Sequence, residues 1–94
     1  MKMADWSEAV AVRFGRNLRT CREKAGLSQE ALGIRAALHR TEIGLLERAA
    51  RVPRIDTLIK LAGAIGVPPG NLLDGMSWKP ESVSVNHGGF EVHG

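Results

Sequence analysis

Apolar side chains recur at every third or fourth position along most of the chain, which is the spacing of one face of an α-helix. The first such stripe predicts a helix over about residues 6 to 25, which opens with a capping box of Asp5 and Glu8 and ends at Gly26. The inward positions predicted for this helix are Val10, Phe14, Leu18, Cys21 and Ala25. The sequence therefore predicts one long amphipathic helix at the start of the chain.

Shorter stripes predict four further helices, over about residues 29–36, 39–48, 55–65 and 68–73. Ser28 can cap the second helix, and a tight turn around Ala37 separates the second helix from the third. Pro53 disfavours helix before the fourth segment, and Gly66 ends that segment. The pattern predicts an all-α domain of five helices over residues 6 to 75.

Residues 76 to 94 follow a different pattern and form a C-terminal extension. Two short apolar-polar alternations, over residues 82–85 and 90–92, flank the run Asn86-His87-Gly88-Gly89. This pattern predicts either a small β-hairpin or an arm, with an unstructured chain end as the alternative. Trp78 and Phe90 favour some docking, because large aromatic surfaces are seldom left in water.

Positive charge is concentrated in the first two thirds of the chain. The 94 residues carry a net charge of +3, but residues 1 to 60 hold twelve Lys or Arg and seven acids, whereas residues 61 to 94 hold one Lys and three acids. This asymmetry is typical of a face that binds a polyanion. A solvated basic surface is the alternative.

The second and third predicted helices form a helix-turn-helix unit, and the residues around it carry a family resemblance. They are the run Arg22-Glu-Lys-Ala-Gly-Leu-Ser-Gln-Glu-Ala-Leu, then Ile43, Glu47, Pro53, Thr57-Leu-Ile-Lys-Leu-Ala, Gly66-Val and Asn71-Leu-Leu. Over about residues 12 to 74 the chain resembles the Cro/cI-type phage repressors, also called the xenobiotic-response-element family. The resemblance implies a five-helix, lambda-repressor-like domain that binds double-stranded DNA in a sequence-specific way as a transcription regulator, and we expect a repressor.

The resemblance also implies which residues contact DNA. The base-reading positions of the third helix fall on Arg40, Thr41 and Leu45, with Gly44 beside them. Arg40 can donate two hydrogen bonds to a guanine edge, which discriminates against a wrong base by ~1–3 kcal/mol, and a phosphate contact is the alternative. The positions expected at the DNA backbone are Ser28, Gln29, His39, Arg48, Arg51 and Arg54.

Two further expectations come with the resemblance. Glu47 is an acid at an inward helical position, and the matching acid of the family pairs with an Arg that falls on Arg22. We expect this ion pair to fix the angle between the first and third helices. The chain departs from the family at Ala37 and Ala49, where Gly is usual, and at His39, where Ser or Thr is usual. Because a left-handed Ala costs ~1 kcal/mol or more, the turn is expected to follow a slightly different path.

Other chemistry is poorly supported by the sequence. The single Cys21 cannot form an internal disulfide, and no apolar run approaches the ~18 residues of a membrane span, so we expect a cytoplasmic protein without membrane contact. The chain lacks a phosphate loop, zinc-ligand spacing and a nucleophile placed with a His and an acid, so we expect neither an enzyme nor a cofactor. His87 and His93 lie in a Gly-rich tail and are expected to be solvated rather than to bind metal.

The expected assembly is a homodimer, because one unit offers little contact area for tight operator binding. The predicted dimer surface lies in the fifth helix and the extension, at Leu72, Leu73, Met76, Trp78, Val83, Val85 and Phe90. The alternative function is a protein-interaction module or antitoxin-type protein of the same fold, which would bind a partner protein through residues 76 to 94.

Overall fold

Five α-helices precede a two-stranded antiparallel sheet in the computed structural model, which describes residues 7–80 and 88–93. The elements are α1 (Glu8–Lys24), α2 (Gln29–Ala36), α3 (Arg40–Glu47), α4 (Ile55–Ile65), α5 (Pro69–Leu72), β1 (Met76–Lys79) and β2 (Gly89–Val92). The helical part and the short C-terminal hairpin confirm the predicted fold class.

Helix α1 begins later than the sequence pattern predicted. Its N-cap is Ser7, whose side chain accepts a hydrogen bond from the backbone N–H of Val10 at 3.3 Å. The predicted capping residue Asp5 lies outside the described residues. Phe14 and Leu18 are buried as predicted, whereas Val10 and Cys21 are half-buried and Ala25 is exposed. The rest of the buried face consists of Ala11, Gly15 and Arg22.

Gly15 explains how closely α1 approaches α3. A Cβ at this position would lie 2.7 Å from the carbonyl oxygens of both Leu46 and Glu47, and real Cβ atoms do not approach oxygen so closely. Only glycine therefore allows the middle of α1 to contact the end of α3. The apolar spacing along α1 does not reveal the role of this glycine.

One hydrophobic core joins all five helices. Its largest fully buried side chains are Phe14, Leu18, Leu32, Ile43, Leu46, Leu61 and Leu72. Each such side chain stabilises the fold by about 1.5–3 kcal/mol through loss of contact with water. Leu72 was predicted to lie on the dimer surface, and that prediction is wrong because its side chain is fully enclosed in the core, where it anchors α5.

The turn between α2 and α3 adopts the left-handed conformation that glycine usually provides. Ala37 has φ 57° and ψ 43°, and the N–H of Leu38 donates to the carbonyl of Gly33 at 2.8 Å. Ala49, just after α3, has φ 62°. The expectation of a different path for the turn is therefore wrong, because both alanines accept the strained conformation instead.

The hairpin uses a different first strand from the one predicted. Strand β2 includes the predicted residues 90–92, but it pairs with β1, in the register Met76↔Val92 and Trp78↔Phe90. The other predicted strand, residues 82–85, lies outside the described residues. Trp78 and Phe90 stack edge to face, with ring centroids 5.0 Å apart and an interplanar angle of 74°.

Helix α1 fastens the start of the hairpin to the helical domain. The Nε of Arg13 donates to the carbonyl of Asp74 at 3.1 Å, and the Nδ2 of Asn17 donates to the carbonyls of Leu72 and Asp74 at 3.1 and 2.9 Å. Because these bonds end on backbone oxygens, they fix the direction in which the chain leaves α5.

Candidate nucleic-acid interface

The N-termini of α2 and α3 are both capped by side chains. The Oγ of Ser28 accepts from the N–H of Ala31 at 3.0 Å, and the Nδ1 of His39 accepts from the N–H of Thr41 at 3.0 Å. Ser28 and His39 are both exposed beside helix ends that carry partial positive charge. Ser28 and His39, which were both predicted to touch the DNA backbone, thus act as caps. They leave the remaining free N–H groups of each first turn available to an anion.

The outward side of α3 carries the residues predicted to read bases. Arg40 and Thr41 are exposed at the first turn, and Leu45 is half-buried. The Nη1 of Arg40 lies 3.2 Å from Oε2 of Glu30 on α2, and both side chains are about two thirds exposed, at 67% and 66%. An ion pair this exposed is weak and can be exchanged for a contact with DNA.

Gly44 differs from the other base-reading positions because it is buried, although Thr41 before it and Arg48 after it are exposed. The atoms around it belong to the guanidinium of Arg48 and to the side-chain amide of Gln29. Gly44 itself offers no functional group to a base. It instead permits neighbouring side chains to lie against the helix.

Two more arginines follow α3 and pair with acids. The Nη1 of Arg51 donates to Oε1 of Glu42 at 3.0 Å, and the Nε of Arg54 lies 3.2 Å from Oδ1 of Asp56. Both arginine side chains are more than half exposed. The connection between α3 and α4 therefore presents two arginine side chains to solvent.

Arg22 and Glu47 form a largely buried ion pair. The Nε and Nη2 of Arg22 donate to the two carboxylate oxygens of Glu47 at 2.6 and 3.0 Å, and its Nη1 donates to the carbonyl of Leu27 at 2.8 Å. Only 11% of the Arg22 side chain and 5% of the Glu47 side chain are exposed. The hydrogen bond to Glu47 raises the pKa of Arg22 and outweighs the burial that lowers it, so the guanidinium stays charged.

Gln29 joins this pair to the start of α2. Its Nε2 donates to Oε1 of Glu47 at 3.1 Å. Glu47, the last residue of α3, therefore accepts hydrogen bonds from α1 and from α2. This arrangement holds the two helices of the helix-turn-helix unit and the long α1 in one relative orientation.

Sequence reasoning did not find the acids that accompany the exposed arginines. Glu30 lies ten positions before Arg40 on another helix, so no local spacing signals their contact. Asp56 is two positions after Arg54 in the first turn of α4, where an acid is expected for its interaction with the helix dipole. Exposed rotamers decide such pairs, and a sequence pattern does not encode them.

The described part of the chain has no group of three or more His, Cys, Asp or Glu side chains that could hold a metal ion. Among residues 7–80 and 88–93, no helix has the length and apolar character needed to cross a membrane.

Comparison with known proteins agrees with this geometry. A family model described as a helix-turn-helix domain matches residues 13–74. The control protein C.BamHI of Bacillus amyloliquefaciens is 39% identical over 66 residues, which are 69% of this chain and 82% of that protein. The chain belongs to the helix-turn-helix domain family, whose Cro/cI-type members are DNA-binding transcription regulators.

Solved structures are also similar to this chain. The restriction-modification controller protein C.AhdI from Aeromonas hydrophila is 39% identical with a TM-score of 0.66, and the match covers 68% of this chain and 97% of that one. The P22 c2 repressor, solved in complex with a synthetic operator, is 31% identical with a TM-score of 0.61, and the match covers 66% and 94%. The resemblance to Cro/cI-type regulators is thereby confirmed.

Proposed function

We propose that this protein represses transcription by binding a two-fold symmetric operator as a homodimer, with α3 in the major groove. The observation that carries the proposal is the exposure of Arg40 and Thr41 at the start of a helix whose other end is fixed by the Arg22–Glu47 pair. A rigid helix with an exposed arginine fork at its tip fits the major groove and a guanine edge.

In this proposal the remaining residues hold the helix on the duplex. Ser28 and Gln29 place the N-terminus of α2 against one phosphate, and His39 lies beside the first turn of α3. Arg48, Arg51 and Arg54 supply positive charge after α3. Leu45 contributes apolar contact, and Gly44 lets neighbouring side chains lie close to the helix. Phosphate contacts position the protein, whereas contacts to base edges specify the sequence.

Selection of bound sequences from a random duplex pool tests the proposal. We expect a palindromic consensus whose half-sites lie about 34 Å apart, because two recognition helices related by a two-fold axis enter successive turns of the groove. Arg40→Ala should lose discrimination at one base pair in each half-site. Failure of the wild-type protein to enrich any sequence at low salt would refute the proposal.

The proposed dimer surface comprises Leu73, Met76, Trp78 and Phe90. Leu73, Trp78 and Phe90 are 44%, 56% and 52% exposed, and Met76 is half-buried where the hairpin leaves α5. Val83 and Val85, which were predicted to join this surface, lie outside the described residues. Exposed aromatic side chains in a cluster are typical of an interface.

Sedimentation analysis of Trp78→Ala tests this surface against a matched control. We expect Trp78→Ala to weaken self-association by about tenfold or more, because aromatic side chains dominate interface energetics. Ile59→Ala on α4 removes a side chain of similar exposure, 57%, and should leave self-association unchanged. A wild-type protein that stays monomeric at high concentration would refute the homodimer and favour the alternative, in which the same hairpin binds a partner protein.

The control proteins support a finer proposal about the regulated genes. C.AhdI is a restriction-modification controller protein, and C.BamHI is a control protein. We infer that this chain controls the genes of a restriction-modification system. A reporter placed behind DNA that is cloned from upstream of a restriction-modification gene and contains the selected sequence should be repressed by the wild-type protein and not by Arg40→Ala.

A further inference from the structure

The side chain of Arg48 lies against the middle of α3 at Gly44, where any other residue would have a Cβ atom. A Cβ added to Gly44 would lie 2.9 Å from Nη1 and 3.8 Å from Cζ of Arg48. It would also lie 3.7 Å from Oε1 of Gln29. The guanidinium of Arg48 therefore rests against the backbone of α3 at Gly44, beside the Gln29 amide, in what we call the Gly44 seat.

The neighbour on one side of this seat is held in place. The Nε2 of Gln29 donates to Glu47, which is itself bonded to Arg22, so the Oε1 of Gln29 is directed toward Gly44. The Gly44 seat is thus bounded by the rigid backbone of α3 and by the fixed side chain of Gln29. A long side chain lying in it loses less conformational freedom on binding than a free one does.

Arg48 also differs from the neighbouring arginines in its ionic contacts. Among the described residues, Arg40, Arg51 and Arg54 each form an ion pair with an acid, whereas Arg48 forms none. Arg48 is the C-cap residue of α3, four positions after Gly44 and seven after Thr41, so its side chain can lie along the face of α3 that carries these two residues. The seat therefore holds a cation on the same face as Thr41.

We propose that Arg48 is a base-reading residue, that it selects a guanine in each half-site, and that it does so because Gly44 leaves the seat open. This proposal rests on the proposed function, and it differs from the backbone contact that the family resemblance implies for Arg48. The planar guanidinium matches the O6 and N7 acceptors of guanine with two parallel hydrogen bonds, and only such a contact to a base edge carries sequence information, whereas a phosphate contact does not.

Three variants test the proposal on the operator selected by the wild-type protein. Arg48→Lys keeps the charge and removes the fork. Gly44→Ala keeps the arginine and fills the seat. Gly63→Ala on α4 is the matched control, because a Cβ there meets nothing within 4 Å and the change also replaces a glycine inside a helix. Each variant is assayed by competition with every single base-pair change of one half-site, and its thermal unfolding is measured alongside.

We expect Arg48→Lys to lose about fivefold or more of its discrimination at one G·C pair per half-site. Its affinity for random duplex should stay close to that of the wild-type protein, because Lys keeps the electrostatic attraction. Gly44→Ala should lose discrimination at the same pair, with unfolding at the wild-type temperature or above it, and Gly63→Ala should keep full discrimination.

Unchanged discrimination in Arg48→Lys would overturn the proposal, and it would assign Arg48 to phosphate. Loss of discrimination at a different pair in Gly44→Ala would overturn the role of the seat. Neither result would touch the proposed function, which fails only if the wild-type protein selects no sequence. If Gly44→Ala unfolds early, Arg48→Lys still decides whether Arg48 reads a base.

Discussion

Removal of the Glu47 carboxylate should be the most damaging single change to stability on the DNA-binding side of the protein. Glu47→Ala leaves the Arg22 guanidinium with its hydrogen bond to Leu27 but without its counter-charge, at a site where only 11% of the arginine side chain meets solvent. Stranding one partner of a buried pair costs about 3–5 kcal/mol. A domain of this size has a free energy of unfolding of about 5–15 kcal/mol, so a large part of it would be lost.

Thermal unfolding, monitored by circular dichroism, measures this loss of stability. A domain of this length loses about 4–8 °C of melting temperature for each kcal/mol, so Glu47→Ala should melt about 12 °C or more below the parent. Glu23→Ala is the matched control, because its carboxylate pairs with Arg19 at 3.3 Å on the exposed face of α1, with 66% and 56% of the two side chains in solvent. That change should cost about 0.5 kcal/mol or less.

A double variant separates the stranded charge from the loss of packing. Arg22→Met combined with Glu47→Leu removes both charges and should recover most of the lost stability, because apolar residues of similar volume often replace a buried pair without penalty. A Glu47→Ala protein that melts together with its parent would refute the reasoning, since the pair would then contribute nothing that water could not replace.

Four further changes have clear expected outcomes. Ala37→Gly should raise the free energy of unfolding by about 1 kcal/mol, as measured by urea titration, because φ is 57° there, and a loss of stability would contradict the strain. Gly15→Ala should destabilise by about 1–3 kcal/mol because its Cβ meets backbone oxygens at 2.7 Å, whereas Gly63→Ala should stabilise by about 0.5–1 kcal/mol. Glu30→Gln should strengthen binding to random duplex in low salt, because it removes a negative charge and releases Arg40. A fluorescence titration measures this binding, and equal or weaker binding would show that Glu30 does not compete with DNA.

The helical part of the fold was predictable because its boundaries carry strong local signals. Helices α2 and α4 have the predicted bounds, since Ser28 caps the first turn of α2 and Gly66 ends α4 in the left-handed conformation. The start of α1 was less well predicted, because Asp5 was expected to cap the helix, whereas Ser7 occupies the N-cap position. The family resemblance placed Arg22 against Glu47, which spacing alone does not do.

The hairpin and the surface contacts were harder to predict for physical reasons. Strand β1 is four residues long, and an alternation this short is weak evidence for a strand. Leu72 lies in a helix of four residues, too short for a periodicity that separates inward from outward positions. The position of Arg48 over Gly44 depends on a side-chain rotamer and on the missing Cβ, so only the three-dimensional arrangement shows it.

The two left-handed alanines that flank the recognition helix have a consequence for how long the protein survives in a living cell. With φ values of 57° and 62°, Ala37 and Ala49 each carry a penalty that glycine would remove. Together they amount to about 2 kcal/mol, which enlarges the unfolded population roughly 30-fold. Because proteases capture molecules from that population, we expect the regulator to be degraded faster than a variant with glycine at both positions.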